Sequence, residues 1–198
     1  MKIYGDVGSG NCLKVKFTAD YLRLPYTWVP TDIMKGETRT PEFLAKFLMG
    51  RIPAVELADG RRLAESNAII RYLARGSGLL PDDRYTEAKI DELLFWEQYS
   101  HEPYVATTRY HIVYLKRSLA EREPWRVERG EAALDLMDRR LLTGRSWLVG
   151  EAMTIADISL LAYTRLAHEG GFDLSSRPDV RAWIGRCEQV LGLRPVHG

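Results

Sequence analysis

The chain has 198 residues, which is enough for one large domain or two small ones. Its hydrophobic content of 45% is typical of a packed globular protein and excludes a disordered one. The 28 basic residues nearly balance the 27 acidic ones, and the net charge of +1 gives no support to a nucleic-acid partner.

The sequence also predicts the compartment. Cys12 and Cys187 are too few for a disulfide framework, so a reducing compartment is expected. The N-terminal segment MKIYGDVGSGNC has no apolar signal-peptide core, and no uncharged apolar run approaches the roughly 18 residues of a membrane span. No histidine and cysteine cluster has metal-ligand spacing. We therefore expect a soluble, cytoplasmic protein without a metal and without a membrane partner.

The first part of the chain predicts alternating strands and helices. Residues 2–4 and 26–29 favour strands, a loop with three glycines spans residues 5–10, and Pro25 ends the intervening helix. The apolar face of that helix comprises Val15, Ala19 and Leu22. These lengths predict a parallel strand pair with a right-handed crossover. A further helix is predicted to start at Pro41, because proline suits the first helical position.

Residues 50–64, GRIPAVELADGRRLA, predict a β-hairpin. Pro53 opens an apolar run at residues 54–57, and Leu63 lies in a short second strand. Asp59-Gly60 between two such strands predicts a tight turn with positive φ at both turn residues.

The helix that follows begins at Glu65-Ser66. Its apolar positions have the helical spacing i, i+3, i+4 and are Ile69, Tyr72 and Leu73. The serine places a hydroxyl beside the unpaired N–H groups of the first turn. The element order β-α-β-α-β-β-α is that of a thioredoxin-like fold.

Beyond a glycine-containing linker at residues 77–84, the sequence predicts helices only. The first spans residues 85–116 and contains Pro103, which is expected to kink or split it by removing a hydrogen bond and clashing with the turn before. A last helix lies near residues 178–190. Between them, an apolar stripe at helical spacing comprises Val127, Gly130, Leu134, Met137 and Leu141.

A capping box is predicted where another helix begins. Thr154 can cap this helix while Asp157 reaches back to the Thr154 N–H, and Met153 and Ile158 can form the hydrophobic staple around them. The expected role of this box is in folding.

The X-Pro strand start and the Glu-Ser helix start resemble the glutathione-binding half of the soluble glutathione transferases, and the later Thr-x-x-Asp box is similar to one in their second domain. The order and spacing cover nearly the whole chain and resemble a bacterial theta- or nu-like type. The resemblance implies an α+β two-domain protein, with a thioredoxin-like domain at 1–76 and an all-α helical bundle at 85–198. It also implies glutathione as co-substrate and a homodimer with the 85–116 helix at its interface.

By this resemblance, four residues hold the γ-glutamyl and cysteinyl parts of glutathione. Ser66 and the N–H groups after it suit the carboxylate, since a helix N-terminus favours anions, and Glu65 suits the ammonium group. The resemblance also implies a cis Pro53, so that the Ile52 backbone pairs with the cysteinyl unit like an added strand. The alternatives are an ordinary N-cap serine and a trans proline at a strand edge.

Arg51 and Arg39, with Thr38 beside them, suit the glycine carboxylate, because arginine can bond a carboxylate in a bidentate way. The alternative for both arginines is a solvated surface position. Many relatives have a pattern resembling Asn-Pro-x-Gly before this arginine, whereas residues 47–50 here are Phe-Leu-Met-Gly. This difference in sequence affects the expected path of the loop and the direction of the Arg51 side chain.

A glutathione thiolate needs specific stabilisation, because a free thiol has a pKa near ~8.5 and a shift of ~2 units requires ~2.7 kcal/mol. The resemblance assigns the catalytic role to Ser9, and Ser9-Gly10-Asn11 matches the Thr/Ser-x-Asn pattern of some bacterial relatives. Either residue can alternatively cap the helix. Beta- and omega-like relatives carry a cysteine in this loop, but Cys12 falls at a different position and is expected to pack in the core.

Tyr104, Thr108 and His111 share one helix face at i, i+4, i+7 and are candidates for the wall of the electrophile pocket. Aromatic residues at this spacing also occur in helix cores. The sequence as a whole predicts a glutathione transferase that conjugates glutathione to a small hydrophobic electrophile. The alternatives are a glutathione-dependent disulfide reductase and a non-catalytic binding or regulatory protein on the same fold.

Overall fold

The computed structural model describes the backbone of residues 1–141 and 144–196 and the side chains of residues 1–139 and 144–196. The chain divides into two compact units, Met1–Arg75 and Gly76–Gly198. The predicted stripe residue Leu141 has its side chain outside the described part.

The first unit contains one mixed sheet and three α-helices, in the order β1 (Lys2–Gly5), α1 (Gly10–Tyr21), β2 (Thr27–Pro30), α2 (Pro41–Lys46), β3 (Ala54–Glu56), β4 (Arg62–Ala64) and α3 (Ser66–Ala74), with a short 3-10 helix at Glu37–Arg39 before α2. The strand order is β2-β1-β3-β4, with β1 parallel to β2 and antiparallel to β3, and β3 antiparallel to β4. This is the predicted thioredoxin-like arrangement. The Thr40 hydroxyl caps α2 by accepting the Phe43 N–H at 3.2 Å, and Pro41 is its first residue.

The hairpin between β3 and β4 lies where it was predicted, but its turn type was predicted wrongly. Only Gly60 has positive φ (+84°), and Asp59 does not. The Leu57 carbonyl accepts the Gly60 N–H, and the Leu57 N–H donates to the Arg61 carbonyl. These two hydrogen bonds are the pattern of a three-residue loop ending in a glycine bulge. The Asp59 carboxylate favours this form because it accepts the Arg61 N–H at 3.0 Å.

Helix α3 forms where the apolar spacing predicted it, and it buries only part of that apolar stripe. Ile69, Ile70 and Ala74 are fully buried, whereas Tyr72 is 47% exposed. Because the adjacent residues Ile69 and Ile70 are both buried, the buried face of the helix is centred about one residue away from the i, i+3, i+4 pattern. Tyr72 therefore lies outside this face.

The second unit contains five longer helices: α4 (Arg84–Trp96), α5 (Glu102–Val113), α6 (Pro124–Leu141), α7 (Ile155–Thr164) and α8 (Pro178–Leu191). A π-helical turn at Glu97–His101 joins α4 to α5, and Pro103 is the second residue of α5. The predicted break is therefore confirmed, and it takes the form of a widened turn rather than a separate helix. No helix within residues 1–141 and 144–196 is long and apolar enough to cross a membrane.

The predicted capping box forms at the start of α7. Asp157 is fully buried and accepts hydrogen bonds from the Thr154 and Leu148 N–H groups at 2.8 and 3.0 Å and from the Trp183 indole at 2.9 Å. The Thr154 hydroxyl accepts the Ala156 N–H in return. One carboxylate thus connects the helix start to α8 and to the loop before α7. Gly130 on α6 is required by packing, because a Cβ there would lie 2.6 Å from the Phe172 ring.

Candidate glutathione site

The first unit brings the starts of two helices together. Ser66 is the first residue of α3 and Asn11 is the second residue of α1. The Ser66 hydroxyl donates to Oδ1 of Asn11 at 3.3 Å, although the two residues are 55 positions apart in sequence. Ser66 is 5% exposed. Because the first N–H groups of a helix have no partner within it, two such starts in one place form a surface suited to an anion.

Glu65 precedes α3 in an unusual conformation. Its backbone angles are φ 66° and ψ 114°, a region that residues with a side chain rarely adopt, and its carboxylate makes no capping hydrogen bond. Its side chain is exposed. Backbone strain of this kind persists only where surrounding structure fixes it, and here it sets the direction from which the chain enters α3.

The loop before α1 is organised by Asp6, which sequence reasoning missed. Its carboxylate accepts the Gly8 N–H at 2.8 Å, and its carbonyl accepts the Ser9 N–H at 3.0 Å. An aspartate two residues before a glycine is a recognised turn signal and would have identified it. The turn fixes Ser9 at the N-cap position of α1, yet the Ser9 side chain makes no capping hydrogen bond. The alternative of Ser9 as a simple helix cap is therefore wrong.

The peptide bond between Ile52 and Pro53 is cis, as the resemblance implied. Pro53 is buried and Ile52 is half-buried, directly before β3. Within the described chain, neither the N–H nor the carbonyl of Ile52 takes part in a hydrogen bond. Both groups are therefore available to an extended ligand backbone alongside the strand.

The loop before Ile52 takes its path from Phe47. This side chain is 4% exposed and packs on Tyr4 and Phe43, with ring centroids 5.4 and 5.2 Å apart. Tyr4 is half-buried and packs against the cluster of Phe43, Phe47 and Ala54. The backbone carbonyl of Phe47 accepts the Gly50 N–H at 2.9 Å. The buried phenylalanine anchors this loop, and its neighbours Leu48 and Met49 are exposed.

The two candidate arginines differ in their surroundings. Both are exposed. Nη1 of Arg39 donates to the Met49 carbonyl at 3.4 Å, and it would lie 2.7 Å from a Cβ at Gly50. Arg39 therefore packs over the loop, whereas the guanidinium of Arg51 makes no hydrogen bond or ion pair in the described structure.

Cys12 is fully buried in α1, as expected. Burial raises the pKa of its thiol from 9.0 to about 11, while the nearby backbone of Asp6 and side chain of Ser9 oppose the increase. A nucleophilic cysteine needs a lowered pKa and access to solvent. Cys12 has neither property.

The three candidate electrophile contacts lie on α5 in the second unit. Thr108 is 2% exposed and its hydroxyl donates to the Tyr104 carbonyl at 2.6 Å. The Tyr104 hydroxyl accepts from Nη1 of Arg129 at 3.0 Å. Tyr104 therefore presents a half-buried ring with its hydroxyl already bonded.

His111 lies beside Glu123, with 3.6 Å between Nδ1 and Oε2. Burial, together with the positive charges of Arg117 and Arg126, lowers its pKa. The histidine is therefore mainly neutral near pH 7. No group of three or more His, Cys, Asp or Glu side chains suited to a metal ion occurs in the described part of the chain.

Comparison with known proteins identifies the family. Residues 8–75 match the glutathione S-transferase N-terminal domain, and residues 120–186 match the glutathione S-transferase C-terminal domain. The chain belongs to the soluble glutathione S-transferase family.

Individual relatives agree with this assignment. The glutathione S-transferase-like protein LUC7 of a Fusarium species is 33% identical over 100% of this chain and 92% of its own length. Rat glutathione S-transferase theta-1 is 28% identical over 97% of this chain and 84% of its own length.

Solved structures extend the comparison. A glutathione S-transferase from Pseudomonas fluorescens is 46% identical, covers 94% of both chains and has a TM-score of 0.90. A glutathione transferase homologue from Drosophila mojavensis, solved with bound glutathione, is 27% identical over 95% of this chain and 87% of that chain, with a TM-score of 0.85.

Proposed function

We propose that this protein binds glutathione on its first unit, stabilises the glutathione thiolate, and transfers the sulfur to a small hydrophobic electrophile. The observation that carries the proposal is the Ser66–Asn11 hydrogen bond, which places the start of α3 beside the start of α1. One end suits the carboxylate of the ligand and the other suits its sulfur. The bound glutathione in the Drosophila mojavensis homologue supports the choice of ligand.

Ser66 and the first N–H groups of α3 would hold the γ-glutamyl carboxylate. A helix start favours an anion by ~0.3–1 kcal/mol at the surface and by more where it is partly buried, and Ser66 is buried. Glu65, with its exposed carboxylate, would pair with the ammonium group of the same residue. The backbone angles of Glu65, φ 66° and ψ 114°, would set the direction of its side chain toward that end of the ligand.

The Ile52 N–H and carbonyl would pair with the cysteinyl backbone, which extends β3 by one residue in the manner of strand addition. Arg51 would then reach the glycine carboxylate as an exposed cation. Arg39 contributes to the same end of the site, in part by holding the Met49 carbonyl and so fixing the loop before Arg51.

Ser9 and Asn11 would stabilise the thiolate. Ser9 has a hydroxyl that the helix does not use as a cap. The side-chain amide of Asn11 has two hydrogens that it can donate. Two charge-assisted hydrogen bonds at a helix start can supply the ~2.7 kcal/mol needed to lower a thiol pKa by ~2 units. The thiol proton would pass to water, and the thiolate would displace a leaving group from, or add to, the electrophile.

We further propose Tyr104 and His111, with Thr108 as buried support, as electrophile contacts. A neutral His111 and a tyrosine ring suit an uncharged apolar substrate. We place the protein in the cytoplasm, where both of its cysteines stay as free thiols, as they are in the structure.

A homodimer with α4 at its interface is also proposed. It is supported by the exposed aromatic side chains there, of which Phe95 is 74% exposed. Tyr99, in the π turn after α4, is 82% exposed. Sedimentation at several concentrations tests this: Phe95→Glu should give a monomer, and a wild type that sediments as a monomer would refute it.

The test of the proposed function is calorimetric titration of glutathione into wild type, Ser66→Ala and Ser9→Ala, with Ser146→Ala as the exposed-serine control. We expect Ser66→Ala to weaken binding about 10-fold, from the loss of a charge-assisted hydrogen bond of about 1.5 kcal/mol. Ser9→Ala should keep binding but lose the ultraviolet thiolate band, and Ser146→Ala should match wild type.

Turnover then separates the reactions. Conjugation of a panel of electrophiles supports a transferase, whereas reduction of a small disulfide without conjugation supports the reductase. Because Cys12 is buried, we do not expect it to act as the nucleophile of such a reductase. Cys12→Ala should therefore not abolish either activity. A wild-type protein that binds no glutathione would refute both enzymes and favour a non-catalytic role.

A further inference from the structure

Arg126, near the start of α6, is a largely buried cation whose hydrogen-bond donors are not all used. Its side chain is 14% exposed, and Nε and Nη1 of its guanidinium are enclosed without a hydrogen-bond acceptor among the described residues. Burying a charged donor without an acceptor reduces stability. Native proteins keep few such groups, and those they keep usually have a ligand or a catalytic task. Arg126 is therefore a candidate for binding an anion.

The carboxylate of Glu123 lies near Arg126 but does not satisfy it. Its Oε2 is 3.6 Å from Nη1 of Arg126 and 3.6 Å from Nδ1 of His111, whereas a charge-assisted N–H to carboxylate hydrogen bond is about 2.7–2.9 Å long. The Glu123 backbone is fixed, because its carbonyl accepts the Arg126 and Val127 N–H groups at 3.0 and 3.1 Å. A carboxylate that is free of this chain connection can approach the same donors more closely.

Trp125 provides an exposed aromatic surface beside this cation. The guanidinium carbon of Arg126 lies 4.8 Å from the centroid of the Trp125 ring, and that of Arg129 lies 5.8 Å from it. Tyr104 packs against Trp125 with perpendicular rings, 6.2 Å between centroids, and its hydroxyl accepts from Arg129. Two guanidinium groups beside two aromatic rings suit a ligand that has a flat apolar body and a negative charge.

We propose that Arg126 binds a carboxylate group of the electrophile, so that an aromatic carboxylate is preferred over its neutral counterpart. The inference rests on the proposed function and narrows its substrate class. By themselves, Tyr104 and His111 suit an apolar body, and Arg126 adds a partner for one negative charge on that body. The ligand carboxylate displaces the Glu123 carboxylate and accepts hydrogen bonds from the guanidinium, while the Glu123 side chain turns to solvent.

The first experiment measures binding without turnover. 3-Nitrobenzoate and its neutral counterpart 3-nitrobenzamide, which have no leaving group, are titrated by calorimetry into the glutathione-saturated protein. The variants are Arg126→Met, which keeps an apolar stem, Arg126→Lys, which keeps the charge, and Glu123→Gln, which removes the competing charge. The matched control is Arg181→Met, which removes an exposed arginine of α8 in the same unit.

We expect wild type to bind the benzoate about 10-fold more tightly than the benzamide, as for one charge-assisted hydrogen bond. Arg126→Met should remove this preference, and Arg126→Lys should keep part of it, because lysine retains the charge without the planar donor set. Glu123→Gln should strengthen benzoate binding about threefold, since a neutral amide competes less for the cation. Arg181→Met should match wild type. A role of Arg126 in packing alone would weaken both probes equally.

The second experiment measures turnover of 4-chloro-3-nitrobenzoate and 4-chloro-3-nitrobenzamide. In both reactions the glutathione sulfur bonds to the ring carbon, the carbon–chlorine bond breaks, and chloride leaves with the electron pair. Arg126→Met should raise KM for the benzoate about 10-fold relative to KM for the benzamide.

The two proposals fail in different ways. If wild type binds no glutathione, the proposed function fails and this role fails with it. If wild type conjugates the benzamide but does not prefer the benzoate probes, or if Arg126→Met keeps the wild-type preference, only the role of Arg126 is overturned. Weaker benzoate binding in Glu123→Gln would also overturn it, because the displaced carboxylate would then not be a competitor.

Discussion

Ser66 donates a hydrogen bond to Asn11 at 3.3 Å, and this contact joins the starts of α3 and α1. A carboxylate is a stronger acceptor than an amide oxygen. A bound γ-glutamyl group would therefore compete for the Ser66 hydrogen and release Asn11 toward the sulfur. The hydrogen of the Ser66 hydroxyl therefore links the carboxylate end of the proposed site to its sulfur end.

This connection predicts an energetic coupling in the free protein. Ser66→Ala, Asn11→Ala and the double variant should show a coupling of about 0.5–1.5 kcal/mol in the free energy of unfolding, measured by urea denaturation without ligand. The coupling should shrink in saturating glutathione, because Ser66 then has another partner. Strictly additive effects in the absence of ligand would show that the contact contributes nothing.

Gly50 is predicted to control the loop before Arg51. Its φ is +58°, and a Cβ there would lie 2.7 Å from Nη1 of Arg39 and 2.9 Å from the Thr38 carbonyl. Gly36 is a matched control, with φ +75° and no atom within 4 Å of an added Cβ. Gly36→Ala therefore reports the backbone cost alone, about 1 kcal/mol, whereas Gly50→Ala adds a steric cost of a further 1–3 kcal/mol.

The same pair separates stability from ligand binding. Because Gly50→Ala moves Arg39 and the loop that leads to Ile52, it should also weaken glutathione affinity in calorimetry, while Gly36→Ala should not. Equal losses of affinity in the two variants would show that the loop position does not matter to the site.

The sequence predicted the parts of this protein that local chemistry determines. Proline at the start of α2, the hairpin position and the Thr154–Asp157 box all follow from neighbours within four residues. It did not predict the turn type at Asp59-Gly60, because the carboxylate of Asp59 bonds a backbone group and favours another loop length. The spacing of Ile69, Tyr72 and Leu73 predicted the helix but not its buried face, because the periodicity of a short helix fixes that face only to within about one residue.

The candidate site was predictable residue by residue but not in its contacts. Ser66, Ile52 and Ser9 carry recognisable local signals. The Ser66–Asn11 bond spans 55 positions, and the loop path depends on Phe47 entering a cluster with Tyr4, which no local pattern specifies. Long-range packing of this kind is set by the whole fold, so a single sequence reveals the candidates and not their partners.

Asp157 is predicted to be the most sensitive polar position of the second unit. Removing its carboxylate leaves the buried N–H groups of Leu148, Thr154 and Trp183 without their acceptor. We expect Asp157→Ala to cost about 3–5 kcal/mol of unfolding free energy. Asp157→Asn should also destabilise, since its amide replaces an acceptor by a donor.

Thr154→Ala provides the scale for the Asp157 variants. It removes the hydroxyl that caps α7 and that also donates to Asp157 at 3.2 Å, but it leaves the carboxylate in place, and it should cost about 1 kcal/mol in the same chemical denaturation experiment. If Asp157→Ala costs no more than Thr154→Ala, the carboxylate is not the centre of this network.

Cys12 is predicted to make stability fall at high pH. Its pKa is raised from 9.0 to about 11 in the folded protein, so the unfolded chain loses this proton first. The stabilisation is complete below pH 9.0 and is lost as the pH rises through about 11. The difference of about 2 units corresponds to about 2.7 kcal/mol, at 1.36 kcal/mol per unit. Lysines and tyrosines titrate in the same range. The quantity to compare is therefore the free energy of unfolding of wild type minus that of Cys12→Val. That difference should shrink by 2–3 kcal/mol in urea denaturation between pH 8.5 and 11, and a difference that stays constant with pH would show that the Cys12 thiol is not held protonated by the fold.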